Sequence, residues 1–151
     1  RVGSAVGQMV AVLFAAQLYG VALPPAQMAS VLVTVAWSGS VNGGLEELGD
    51  LAGMCDGRQF SVPLLAVTSP QVKPDCDRMG YTARIEAAGG NVLSGMCFYQ
   101  SYAREIAEAN GWKRLATNSV KLVNILGGYG YQTILASMEE CVEAASTGRL
   151  A

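Results

Sequence analysis

Histidine is absent from the 151 residues, which removes the commonest general base and the commonest metal ligand together. Proton transfer or metal ligation must then fall to carboxylates, hydroxyls, thiols or lysine. Charge is scarce as well: 15% of the residues are charged, the formal net charge is −2, and no basic cluster occurs. The electrostatic footprint of a nucleic-acid or anionic-membrane binder is therefore missing. The four cysteines, Cys55, Cys76, Cys97 and Cys141, include no C-x-x-C pair. In a chain this apolar they read as reduced thiols of a cytoplasmic protein rather than a disulfide framework. There is no G-x-x-x-x-G-K-[ST] and no G-x-G-x-x-G at a strand-to-helix turn, so Gly127-Gly128-Tyr129-Gly130 reads as a turn and not as a phosphate loop. No apolar run reaches the ~20 residues needed to span a bilayer. Val10 to Ala16, behind the single charge of Arg1, imitates a signal sequence only superficially and reads as a buried helix or strand.

What the chain does have is apolar residues, 51% of the total. A chain of this length can bury a core as one domain without disulfides or metal. The apolar share exceeds what an ordinary soluble surface needs, which points to a partner surface or to a missing piece of chain. The chain does not begin with Met, so it reads as a processed form or fragment, and its length suits one α/β domain over 1–151. Residues 1–27 receive no firm assignment beyond a break at Pro24-Pro25 and a short helical turn over Pro25 to Met28.

Val31 to Trp37 is a continuous β-branched run, as expected of a strand covered on both faces. After a loop at Ser38 to Gly44, Leu45, Leu48, Leu51 and Ala52 recur at helical spacing, with Glu46, Glu47 and Asp50 on the other face. Those glutamates read as a solvated first turn that suits the helix dipole rather than as acid/base groups. Asp56-Gly57 closes this helix, and Phe60 to Val67 is a second strand despite Pro63. Thr68-Ser69-Pro70 signals a helix start, but Pro74 moves the expected continuous helix to Asp75–Ala88, ended by Gly89-Gly90. A third strand follows at Asn91–Met96, a helix at Ser101–Ala109, a fourth strand at Trp112–Ala116 and a fifth at Gln132–Ala136. Ser137-Met138-Glu139-Glu140 is a capping box that leads a last helix to Thr147-Gly148. Alternation of this kind predicts an α/β domain with a mainly parallel sheet.

Ligands of such sheets bind beyond the carboxyl ends of the strands. Ser38 to Asn42, Thr68-Ser69, Cys97 and Thr117 to Lys121 all fall there, although the sequence does not give the strand order. In Thr117-Asn118-Ser119-Val120-Lys121 two hydroxyls, an amide and a lysine can converge on one anion; the same residues also make an ordinary N-cap with a surface lysine. Cys97 at a strand end could ligate iron or act as a nucleophile, while Cys55, Cys76 and Cys141 lie within helices and read as packing.

Taken as an ordered set, Leu45-Glu46-Glu47-Leu48, Leu51-Ala52, Cys55-Asp56-Gly57-Arg58, Thr68-Ser69, Gly95-Met96-Cys97, Thr117-Asn118-Ser119-Val120-Lys121 and Ser137 to Val142 resemble the carboxyl-terminal part of the aconitase X large subunit. The resemblance covers about residues 28 to 149. It implies an aconitase-like α/β fold and a hydro-lyase: archaeal members dehydrate mevalonate 5-phosphate, bacterial ones cis-3-hydroxyproline. It also implies a small swivelling partner subunit, a small anionic substrate and an iron–sulfur cluster. By the same resemblance Cys97 corresponds to a cluster ligand, and Thr117, Asn118, Ser119 and Lys121 to the substrate-side motif. Two departures stand out: Gly39-Ser40-Val41-Asn42 replaces Gly-Cys-Pro-His or Gly-Asn-Pro-His, and Val123-Asn124-Ile125 replaces Ala-His-Tyr. One thiol does not hold a cluster, so the isolated chain is expected to show no turnover. A non-catalytic assembly or binding module that keeps the dehydratase fold is the alternative. An unrelated flavodoxin-like domain that binds nucleotide phosphates at Thr117 to Lys121 is a third reading.

Overall fold

The computed structural model describes residues 31–35 (backbone only), 43–95, 98 and 103–149. Five parallel strands form one sheet: β1 (Val31–Val35), β2 (Leu64–Thr68), β3 (Asn91–Ser94), β4 (Arg114–Thr117) and β5 (Gln132–Leu135), in the order β3-β2-β1-β4-β5. Six helices are described: α1 (Leu45–Cys55), α2 (Lys73–Arg78), α3 (Tyr81–Ala87), α4 (Ala103–Asn110), α5 (Val120–Leu126) and α6 (Met138–Thr147). The chain leaves β1 in one direction to build β2 and β3, then returns to its other side for β4 and β5. The crevice of such a sheet lies where the order reverses, at the carboxyl ends of β1 and β4. Their register pairs Thr34 with Thr117.

All five residues of β2 are buried, as the apolar run implied. Side chains alternate across a strand, so Leu64 and Ala66 enter one core and Leu65 and Val67 the other. The first core packs Leu48, Leu51 and Cys55 of α1, Cys76 of α2, Ile85 of α3, and Cys141 and Val142 of α6. The second packs Ile106 of α4 and Leu122 and Leu126 of α5 with Phe98, Trp112, Leu115 and Tyr131. Truncating a buried leucine such as Leu51 or Leu115 to alanine costs about 2–5 kcal/mol.

Of the boundaries that differ from the sequence reading, two have a clear physical cause. The second strand begins at Leu64, because Phe60 to Val62 spend their N–H groups elsewhere. Phe60 donates to the Ala88 carbonyl at 2.8 Å, and Ser61 and Val62 donate to that of Ala145 at 2.7 and 3.1 Å. This segment therefore clamps the ends of α3 and α6 beneath the sheet. The helix expected at Asp75–Ala88 begins at Lys73, where Pro74 sits harmlessly in the first turn. It is then cut in two by Gly80, whose φ of +76° suits glycine and breaks the helical ladder.

Smaller shifts occur at β3, which ends at Ser94 rather than Met96, and at β4, which runs Arg114–Thr117 rather than Trp112–Ala116. Helix α1 ends before Asp56, and α6 starts at the Ser137 capping box and stops at Gly148 in the left-handed region. Gly127–Tyr129 is a short 3₁₀ turn that extends α5. Among the described residues no helix is long and apolar enough to cross a membrane. The segments Val10 to Ala16 and Pro25 to Met28, and the loop Ser38 to Asn42, lie outside the described residues.

Candidate functional site

Among the described residues the carboxyl edge of the sheet is built from the segment leading into α1 and the turns that follow β2, β4 and β5. Gly43, in the segment that leads into α1, donates its N–H to the Val67 carbonyl at 2.6 Å, and the Thr68 hydroxyl donates to the Gly43 carbonyl at 2.7 Å. These bonds tie the turn leading into α1 to the end of β2. Beside it, Glu47 accepts the Gly44 N–H at 3.1 Å. Gly44 has no side chain to return the bond, so only half of a capping box forms. Glu46 is exposed, so the first turn of α1 is as solvated as its composition implied.

Thr117 ends β4, and its carbonyl accepts the Ala136 N–H at 3.0 Å, which fixes β5 alongside. Its hydroxyl accepts the Ser119 N–H at 3.2 Å, and the Ser119 hydroxyl accepts the Leu122 N–H at 3.3 Å. Both side chains are fully buried. Thr117 and Ser119 are thus the internal braces of a strand-to-helix turn, with Ser119 as the N-cap of α5. Asn118, between them, is 9% exposed and lines an open hollow of about 650 Å³. Lys121 is exposed on the first turn of α5 and makes no ion pair among the described residues. Thr117 and Ser119 therefore shape the turn, with the buried Asn118 beside the hollow and Lys121 exposed on the helix that follows.

The hollow joins Asn118 and Val120 to Glu47 on α1 and to Leu135, Ser137 and Glu140 around the start of α6. Sequence reasoning did not place Leu135, Ser137 and Glu140 at this edge, since that requires knowing that β5 lies beside β4. The Ser137 capping box was its only signal. It is fully formed: Glu140 accepts the Ser137 N–H at 2.7 Å and the Ser137 hydroxyl accepts the Glu140 N–H at 3.2 Å. Both carboxylates of the hollow, Glu47 and Glu140, are thus committed to helix caps. Thr68 and Ser69 sit on the far side of β1, two strand spacings or ~10 Å from β4. Asn124 is exposed and donates its amide to the Val120 carbonyl at 3.2 Å, within its own helix.

The described thiols do not fit an iron–sulfur cluster. Cys55, Cys76 and Cys141 are buried in one apolar core, on three different helices. Burial raises the Cys55 thiol from 9.0 to about 11 and the Cys141 thiol to about 12, with neighbouring carboxylates adding to the shift. Burial raises the Cys76 thiol as well, with Asp77 beside it adding to the effect. Cluster ligation requires thiolates, whereas this core holds neutral thiols. Among the described residues no group of three or more Cys, Asp or Glu side chains could hold a metal ion. Cys97 lies outside the described residues.

Residues 34–147 match the family model of the aconitase X third domain. The chain belongs to the aconitase X family. Among curated relatives, the phosphomevalonate dehydratase large subunit of Methanocaldococcus jannaschii is 32% identical over 100 residues, covering 66% of this chain and 24% of the relative. Cis-3-hydroxy-L-proline dehydratase of Pseudomonas aeruginosa is 32% identical over 106 residues, covering 68% and 18%. The crystal structure of holo-form aconitase X from Thermococcus kodakaraensis superposes with a TM-score of 0.62 at 25% identity, covering 76% of this chain and 28% of that one. The aconitase X fold of the five-stranded sheet is thereby shown, and the chain spans about a quarter or less of the length of these relatives.

Proposed function

We propose that the chain is the third-domain part of a larger hydro-lyase subunit of the aconitase X type, and that its β4–α5 turn holds the anionic end of a small substrate. The observation that carries this reading is the position of the Thr117-Asn118-Ser119-Val120-Lys121 motif. It lies at the carboxyl end of β4, beside the point where the strand order reverses, in a chain matched to the aconitase X third domain over residues 34–147. The relatives' names denote loss of water from small substrates that bear a phosphate or a carboxylate.

In this reading Thr117 and Ser119 are positioning residues. Their hydroxyls hold the turn so that the Asn118 amide and the Lys121 ammonium meet the substrate. An ammonium serves here as a point charge for phosphate or carboxylate, with the amide supplying direction. The braced hydroxyls leave the charge recognition to the exposed Lys121.

Dehydration also needs a base to take the proton and an acid or metal to assist the departing hydroxide. The carboxylates at the hollow already serve as caps, and the chain has no histidine. Those groups, the cluster and the swivelling partner subunit implied by the family belong to the rest of such an assembly. The buried free thiols suit a reducing, cytoplasmic setting. The isolated chain is expected to bind the substrate anion without turning it over. A purified chain that is brown, binds iron and dehydrates phosphomevalonate or cis-3-hydroxy-L-proline would refute this.

A second reading, a non-catalytic assembly module that keeps the fold, is favoured by one observation: Asn42 and Asn124 stand where the family resemblance leads one to expect histidines. Substrate binding at Asn118 and Lys121 would decide against it.

A further inference from the structure

We infer that a hollow at the amino end of the sheet, at the far end of α5 from the Thr117 to Lys121 turn, binds a free α-amino acid with an acidic side chain. It is a second site, and it stands whatever the substrate turn binds.

The hollow measures about 670 Å³ and lies between α4, the residues that lead into β4 and the 3₁₀ turn Gly127–Tyr129. That volume suits a small molecule. Three charged side chains line it: Arg104 and Glu108 of α4, and Lys113 just before β4. Arg104 and Glu108 are four residues apart, the spacing at which a helix brings opposite charges together. They do not pair. The Arg104 guanidinium instead donates to the Gly128 carbonyl at 3.1 Å and lies over the Tyr129 ring at 5.8 Å. It is thereby held on the wall of the hollow, with four of its five N–H groups left to donate. Lys113 is fixed through its backbone, since its carbonyl accepts the Gln132 N–H at 2.8 Å. Among the described residues none of the three charges takes part in an ion pair.

The chemistry of the lining sets the class of ligand. Two cations call for two anionic groups, and the guanidinium fork suits a carboxylate. Glu108 works against a bare anion such as phosphate and favours a ligand that also carries an ammonium. A dicarboxylic α-amino acid has these three groups, and Ala107 with the edge of Trp112, 5% exposed, suits its short methylene chain. The glycines of the turn point the same way. Gly127 has an ordinary φ of −55°, and Gly128 is also outside the left-handed region. A Cβ at either position would meet no atom within 4 Å. Neither turn geometry nor packing therefore requires glycine there, although glycine in a helical turn costs stability relative to alanine. Close approach of backbone to a ligand is the remaining use of glycine.

The test is a nuclear magnetic resonance titration of the ¹⁵N-labelled chain with L-glutamate. Glutarate, which keeps both carboxylates and lacks the ammonium, is run alongside, as is inorganic phosphate. Saturable shifts are expected from L-glutamate at the Gly111, Lys113 and Gly128 amides, with glutarate about tenfold weaker or more and phosphate without effect there. Arg104→Gln is expected to weaken L-glutamate binding about tenfold or more. Glu108→Gln is expected to erase the preference for L-glutamate over glutarate, a change that a merely structural role would not produce. Both side chains are exposed, so both variants should melt as cooperatively as the parent, and the comparison of ligands on the parent chain needs no variant. No saturable shift with L-glutamate, equal affinity for glutarate, or binding indifferent to Arg104→Gln would overturn the proposal. Shifts at Asn118 to Lys121 with none at Gly128 would assign the amino acid to the substrate turn and overturn it as well.

Discussion

The Thr117 hydroxyl accepts the Ser119 N–H at 3.2 Å, in a turn where neither side chain reaches solvent. The Thr117-Asn118-Ser119 turn is thus held by its own hydroxyls. Thr117→Val removes a buried acceptor and leaves an N–H without it, a loss of about 1–3 kcal/mol. Ser119→Ala removes an N-cap and costs about 1 kcal/mol. Chemical denaturation should show both, and Ser119→Thr should recover much of the second.

Lys121 is expected to behave in the opposite way. It is exposed and makes no ion pair among the described residues, so Lys121→Gln should leave stability within about 0.5 kcal/mol of the parent. Binding of phosphomevalonate should nevertheless fall about tenfold or more, since a charge-assisted contact contributes about 1.5–3 kcal/mol. Unchanged binding would remove Lys121 from the site.

Alkaline pH should destabilise the fold. Below pH 9 the buried thiols are protonated in both the folded and the unfolded chain. Above it the unfolded chain ionises from 9.0 upward, whereas folded Cys55 holds its proton to about 11 and Cys141 to about 12. Stability is therefore lost as pH rises from about 9 to about 12, and Cys141→Ala should flatten that part of the profile. The same burial predicts no reaction of Cys55, Cys76 or Cys141 with a thiol reagent until the chain unfolds.

Tyr131 offers an independent check on the second core. Its ring meets Phe98 edge-on at 6.2 Å, and its buried hydroxyl donates to the Ala103 carbonyl at 2.8 Å, joining the residue before β5 to the start of α4. Tyr131→Phe keeps the ring contact and loses the bond, so a cost of about 1 kcal/mol is expected in thermal unfolding.

Much of this architecture is legible from the residues. The apolar runs at Val31 and Leu64, the Ser137 capping box and Gly148 mark strands and helix ends through local physics, and the structure places them accordingly. Gly80 was not legible as a break, because the segments on both sides favour helix and only its positive φ separates them. Phe60 to Pro63 reads as strand because it is apolar and extended, yet its bonds go to Ala88 and Ala145, far along the chain. The hollow was hidden for a related reason. Asn118 meets Leu135 and Ser137 only because β5 pairs with β4, and strand order is a tertiary fact.

The central claim is that the turn from Thr117 to Lys121 presents Asn118 and Lys121 to an anionic substrate. Its most direct test is a nuclear magnetic resonance titration of the ¹⁵N-labelled chain with phosphomevalonate, with inorganic phosphate alongside. The expected result is saturable shifts at the Asn118, Ser119 and Lys121 amides, tighter for phosphomevalonate and lost in Lys121→Gln, with no change at Gly128 at the opposite end of α5. Shifts confined to other parts of the chain, or none at any concentration, would contradict it.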